Sequence, residues 1–97
     1  MATYITLYRY TRQGIQNVKG SPQRVEEARK AMEKAGGKLK AVYLTMGQYD
    51  IVAVSEWSDE ETAAAFLLGQ GAQGNVTSES LRAFGEDEFK RIVAKLP

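Results

Sequence analysis

Asp50 is the residue whose placement most invites chemistry. It closes the run Gly47-Gln48-Tyr49-Asp50 inside the otherwise apolar stretch from Val42 to Trp57. A half-buried carboxylate can acquire a shifted pKa and serve as a general base. In the same position it can instead accept hydrogen bonds from a turn, or from a tyrosine or arginine across a sheet. Arg9, Arg12 and Arg82 are candidate partners, for Asp50 or for an anionic ligand. The tyrosines come next. Tyr4, Tyr8 and Tyr10 share parity along one stretch, and Tyr43 precedes the same turn that Tyr49 follows. Their rings and hydroxyls can line a ligand cleft. They can equally cover an apolar sheet face that meets another copy of the chain. The candidate ligand-binding set is Tyr8, Tyr43, Tyr49 and Asp50, with Asp50 as the one candidate catalytic group.

Two further patterns have chemistry in their spelling but the wrong context. Gly69, Gly71 and Gly74 match G-x-G-x-x-G, yet they follow a helix and open a strand, the reverse of a dinucleotide-binding loop. Asp59, Glu60 and Glu61 cluster three carboxylates at a helix start, where they complement the helix dipole. Histidine and cysteine are both absent, which removes the commonest metal ligand, the commonest general base and the thiol nucleophile. No metal or cofactor is expected.

The elements that must position these residues follow from pattern and punctuation. Ala2–Tyr10 alternates, with Tyr4, Thr6, Tyr8 and Tyr10 on one face and Thr3, Ile5, Leu7 and Arg9 on the other. Thr11–Gly20 is polar and aperiodic, either a functional loop or a one-turn helical cover pinned by Ile15 and Val18. Ser21–Gly36 is a helix, with Ser21 to cap it, Pro22 at its first turn and Val25, Ala28, Met32 and Ala35 as its apolar stripe. Lys38–Met46 and Tyr49–Trp57 form a hairpin about a two-residue Gly47-Gln48 turn. In that register Leu44 opposes Ile51, Val42 opposes Ala53 and Tyr43 opposes Val52. The third strand, apolar on both faces, is central, and the lysines that begin the second suit an edge.

Ser58–Leu68 is a second helix with a Ser58/Glu61 capping box and Ala63, Phe66 and Leu67 buried. Gly69–Gly74 is its flexible end. Asn75–Phe84 is a fourth strand, and Gly85–Lys95 a last helix with Phe89, Ile92, Val93 and Leu96 on its apolar side. On the supposed pairing, Tyr43 shares a face with Tyr4, Tyr8 and Tyr10. The order β-α-β-β-α-β-α is an α+β, ferredoxin-like split βαβ with a four-stranded antiparallel sheet and an added C-terminal helix.

Ninety-seven residues amount to a single domain, 1–97, able to fold without disulfides. Thirteen basic and 12 acidic residues leave a net charge of +1, with no single-sign stripe, so neither nucleic acid nor a membrane surface is an expected partner. No signal peptide or membrane span is evident, and a cytoplasmic protein is expected.

Along Met46–Phe66 and Gly74–Phe84, through Gly-Gln-Tyr-Asp, Gly74-Asn75-Val76 and Leu81-Arg82-Ala83-Phe84, the chain resembles the GYD family of small bacterial and archaeal domains of uncharacterised function. The resemblance implies the dimeric α/β-barrel superfamily, in which two ferredoxin-like units pack sheet to sheet. That superfamily includes cofactor-free oxygenases, haem-degrading enzymes, isomerases and small-molecule sensors; a chain without histidine departs from the haem-ligating members. The expectation is therefore a homo-oligomer formed through the sheet face. Its role would be to bind or sense a small organic molecule. The alternatives are a cofactor-independent oxygenase or isomerase using Asp50 as base, or a purely structural interaction protein.

Overall fold

Strand β1 (Ala2–Tyr10) forms the axis of the computed structural model, which describes residues 1–97. It leads through a short helix α1 (Arg12–Gln16) and a 3-10 turn (Val18–Gly20) into helix α2 (Ser21–Lys34). Strands β2 (Gly37–Leu44) and β3 (Ile51–Trp57), helix α3 (Glu60–Ala72), strand β4 (Val76–Ala83) and helix α4 (Glu86–Val93) complete the chain. All strand pairs are antiparallel and the sheet order is β2-β3-β1-β4. This is the ferredoxin-like α+β arrangement with an added C-terminal helix. The doubly apolar β3 is central and the lysine-bearing β2 is an edge, as their side chains require.

The side-chain period of two divides the sheet into a covered and an open face. On the covered face Tyr8, Leu39, Ala53 and Trp57 meet Met32 of α2 and Ala63 of α3, and these six form the core. Trp57 is its anchor, 3 % exposed, with its ring 5.3 Å from that of Phe66 and its indole N–H donating to Ser55 Oγ at 3.1 Å. Gly37 opposes Trp57 because a Cβ there would come within 2.7 Å of the indole. On the open face, cross-strand rows run Tyr43–Val52–Leu7 and Ala41–Val54–Ile5–Leu81. Only 10 of 97 residues are buried, so this second apolar surface contributes almost nothing to the core of one copy.

Several local expectations change. Of the two readings of Thr11–Gly20 the helical one holds, opened by the Thr11 hydroxyl, which accepts from Gly14 N–H at 3.0 Å. Gly14 lies so close against the Asn75 carbonyl that no Cβ fits between them. Helix α2 is preceded by Gly20 with no side-chain cap, because the Ser21 hydroxyl is turned to that of Tyr10 at 2.7 Å. Helix α3 is capped by Asp59 rather than Ser58. The Asp59 carboxylate accepts from Thr62 N–H at 3.1 Å and from the Thr62 hydroxyl, bonds that hold its pKa below the usual carboxylate value. Ser58 instead donates to Gly36 O at 3.3 Å.

Gly69 and Gly71 do not end α3, which continues to Ala72 and stops where Gly74 takes a positive φ of 87°. The hairpin keeps its expected register, with Thr45 N–H on Asp50 O at 2.8 Å, but its regular strands end earlier, at Leu44 and Ile51. Helix α4 starts with Gly85 N–H donating to Glu88 Oε1 at 3.2 Å. Its apolar side, Phe89, Ile92 and Val93, faces solvent rather than the body. No helix is long and apolar enough to cross a membrane.

Candidate functional site

The Gly47–Asp50 turn is held by every one of its residues. Gly47 has a φ of 135°, a conformation that a side chain disfavours. The carbonyl of Gln48 accepts from Arg9 Nε at 2.9 Å. The same guanidinium lies 4.7 Å over the Tyr49 ring, whose hydroxyl donates to Glu79 Oε2 at 2.8 Å. That hydrogen bond, with the Glu79 charge, raises the Tyr49 pKa, and the Arg9 charge opposes the rise. Asp50 donates its N–H to Tyr8 O and accepts the Tyr10 N–H on Oδ2, both at 2.8 Å. Its carboxylate thus continues the β3–β1 ladder one rung beyond the last regular pair, Tyr8 with Ile51.

The covered face holds a different structure. Helices α2 and α3 both lie on the sheet but stand apart from one another, with the small residues Ala28, Ala31 and Gly69 facing the gap. Between them is a half-enclosed cleft of about 430 Å³, within the usual range for small-molecule sites. The sheet supplies its floor and the helices its walls, and 12 of its 19 lining residues are hydrophobic. Its polar groups gather where β1 ends and α2 begins. Tyr8 donates its hydroxyl to Gln70 Oε1 at 2.7 Å, and Tyr10 shares a hydrogen bond with Ser21. Arg24 Nη2 donates to Ser21 Oγ and to Asn17 O, each at 3.1 Å. Burial pushes the Tyr8 phenol up to about 12. At neutral pH Tyr8 is a neutral hydrogen-bonding group and a poor proton acceptor.

The four residues singled out by sequence are therefore divided. Tyr8 lines the cleft. Tyr43 pairs with Val52, one residue along from the Ile51 that opposes Tyr8, so it points to the other face and is 61 % exposed. The expected sharing of a face by Tyr43 and Tyr8 is thus corrected. Tyr49, bonded to Arg9 and Glu79, also belongs to the open side, and Asp50 joins the strands without lining the cleft. Arg82, a candidate partner of Asp50, instead lies over the rings of Phe84 and Tyr4. Sequence reasoning missed Ser21, Arg24 and Gln70. Nothing local marks them, for they come from three helical positions that only the fold assembles. The shared parity of Tyr8 and Tyr10 is the single clue to the face they serve.

The fold defines the class: a ferredoxin-like α+β domain, here with a cleft between its sheet and its two main helices. The GYD domain profile matches residues 4–93, and the chain belongs to that family. It is 32 % identical over 84 residues to the glutamine synthetase and cystathionine beta-lyase binding protein of Thermus thermophilus, covering 86 % of this chain and 88 % of that protein. Among solved structures it superposes on FFRP-DM1 with a TM-score of 0.60 at 19 % identity, over 87 % of this chain and 100 % of the other. It also superposes on a hypothetical protein from Pyrococcus horikoshii, with a TM-score of 0.58 at 19 % identity over 89 % and 93 % of the two chains. For TTHA0845 of Thermus thermophilus the score is 0.53 at 24 % identity, over 88 % and 95 %. At these identities the superpositions establish the fold.

Proposed function

We propose that this protein is a self-associating regulatory module that binds a small organic molecule in the cleft between α2, α3 and the sheet. The cleft itself carries the reading, because it joins a continuous apolar floor to polar groups confined to one end. Binding is favoured over catalysis by the same geometry. The one ionisable tyrosine in the cleft with a resolved shift, Tyr8, is held in its neutral form. The candidate base Asp50 is committed to the Tyr10 amide outside the cleft. Self-association follows from the open face, where Ile5, Leu7, Val52, Val54, Tyr43 and Leu81 form one apolar surface.

Both parts can be tested with the purified protein. Saturation-transfer NMR against a library of small organic molecules should find binders that are lost in Ala28→Leu, which narrows the cleft without disturbing helix α2. Binders indifferent to that substitution would sink the reading. Sedimentation equilibrium should show a dimer or larger assembly that Leu7→Asp converts to monomer; a wild-type monomer at 100 μM would exclude self-association.

A second reading is that the module binds enzymes of metabolism. The name of the Thermus relative favours it, as do the exposed Phe89, Ile92 and Val93 of α4. Surface plasmon resonance with purified glutamine synthetase tests it, with Phe89→Asp expected to weaken binding at least tenfold.

A further inference from the structure

The cleft has a direction that specifies more than its size. At one end Met32, Leu39, Ala53 and Phe66 offer only apolar surface. At the other, Tyr8, Gln70, Tyr10, Ser21 and Arg24 converge. Arg24 is the decisive group. Its Nη2 donates to two uncharged oxygens, while Nε and Nη1 carry no hydrogen bond. The ion pairs of the chain are Arg29–Glu26 and Lys40–Glu56, so no carboxylate neutralises Arg24.

Glu27 also lines the cleft, one turn along α2, but it is exposed and does not pair with this guanidinium. A guanidinium in a partly desolvated, largely apolar cleft attracts an anion strongly, and its planar fork suits a carboxylate. No second cation lines the cleft, so Arg24 is the one group there that can pair with an anionic head, which must lie on the side of the guanidinium away from Glu27.

Resting on the reading of the cleft as a binding site, we propose that its ligand is an amphipathic monocarboxylate. The carboxylate pairs with Arg24, and an aliphatic or aromatic tail lies on Met32, Leu39 and Phe66. At the roughly 30 Å³ that a water molecule occupies in the liquid, 430 Å³ holds about 14 non-hydrogen atoms. The Tyr8–Gln70 pair lies at the same end as Arg24 and suits a neutral polar substituent next to the carboxylate.

The probe is 4-phenylbutanoate, and its neutral isostere 4-phenylbutanamide is the control. Both are titrated calorimetrically against the wild type, Arg24→Gln, Arg24→Lys and Ala28→Leu, with circular dichroism confirming the fold of each. The wild type should bind the acid at least tenfold more tightly than the amide. Arg24→Gln should bring the two within twofold by weakening the acid alone, and Arg24→Lys should keep part of the preference. Equal binding of acid and amide by the wild type, or a preference that survives in Arg24→Gln, overturns the carboxylate assignment and leaves the cleft as a site. Failure of both probes at millimolar concentration, or undiminished binding by Ala28→Leu, overturns the cleft reading itself.

Discussion

The two faces of the sheet are made by the same four strands and have opposite fates. The covered face carries Trp57, Tyr8 and Ala53 under two helices, and its buried polar groups are engaged: Thr6 with Ser80, Ser55 with Trp57, Tyr8 with Gln70. The open face also carries apolar side chains, yet Tyr43 and Leu81 stay 61 % and 44 % exposed. Apolar surface by itself therefore does not make a core; a second layer does. Within one copy, stability rests on the face that α2 and α3 cover. The other face is available for association.

That contrast can be broken by truncation. Trp57→Ala should cost about 3–5 kcal/mol in urea unfolding, because it leaves a cavity beside Phe66 and Gly37. A loss below about 1 kcal/mol would mean that the covered face is not the core. The tyrosines sharpen the same contrast through pH. Tyr8 holds its proton to about 12 when folded, whereas the unfolded phenol releases it near 10. Between those values the unfolded chain binds fewer protons, so stability falls as pH rises. The full loss is of the order of 3 kcal/mol by pH 12 and is absent below pH 9. Tyr8→Phe should abolish this component, read as the wild-type minus variant difference in unfolding free energy at pH 9, 11 and 12.

A smaller effect belongs to the junction between the faces. Asp50→Ala leaves the Tyr10 N–H without its acceptor and should cost about 1–3 kcal/mol, whereas Asp50→Asn, which keeps an acceptor oxygen, should cost less. Equal losses would assign the carboxylate a charge-dependent task instead. Smallest of all, Leu81→Ala on the open face should cost under about 1 kcal/mol at micromolar protein. If a second copy covers this face, the loss should grow as protein concentration rises, which unfolding at two concentrations detects.

How much of this was legible depended on the range of the interactions involved. Gly47 fixed the hairpin register, because a turn and the two strands beside it are one local unit, and the pairs Val42–Ala53 and Leu44–Ile51 follow from it. At the start of α3 the sequence offers two adjacent residues, Ser58 and Asp59, both suited to cap it. The choice fell to Asp59 because the Ser58 hydroxyl is taken by the Gly36 carbonyl of a distant turn. Glycines 69 and 71 read as an ending, since each weakens a helix by about 1 kcal/mol relative to alanine. Helix α3 nonetheless runs on past them, with Gln70 bonded to Tyr8 and Gly69 bordering the cleft. The candidate site suffered most. Tyr43 and Tyr8 were grouped because β1 and β3 are apolar on both faces, which leaves nothing to choose between one pairing and another shifted by one residue.

The sequence alone determined the order of the main elements, the register of β2 against β3, and the central place of β3. Each of these is encoded by neighbours in the chain: alternation, helical spacing, glycine and proline. The tertiary structure alone decided which tyrosines look into the cleft, that Ser21, Arg24 and Gln70 meet there, and that the apolar side of α4 is left exposed. Those outcomes depend on contacts between residues far apart in the chain, such as Tyr8 with Gln70, 62 positions on, and on a pairing parity that no local pattern carries.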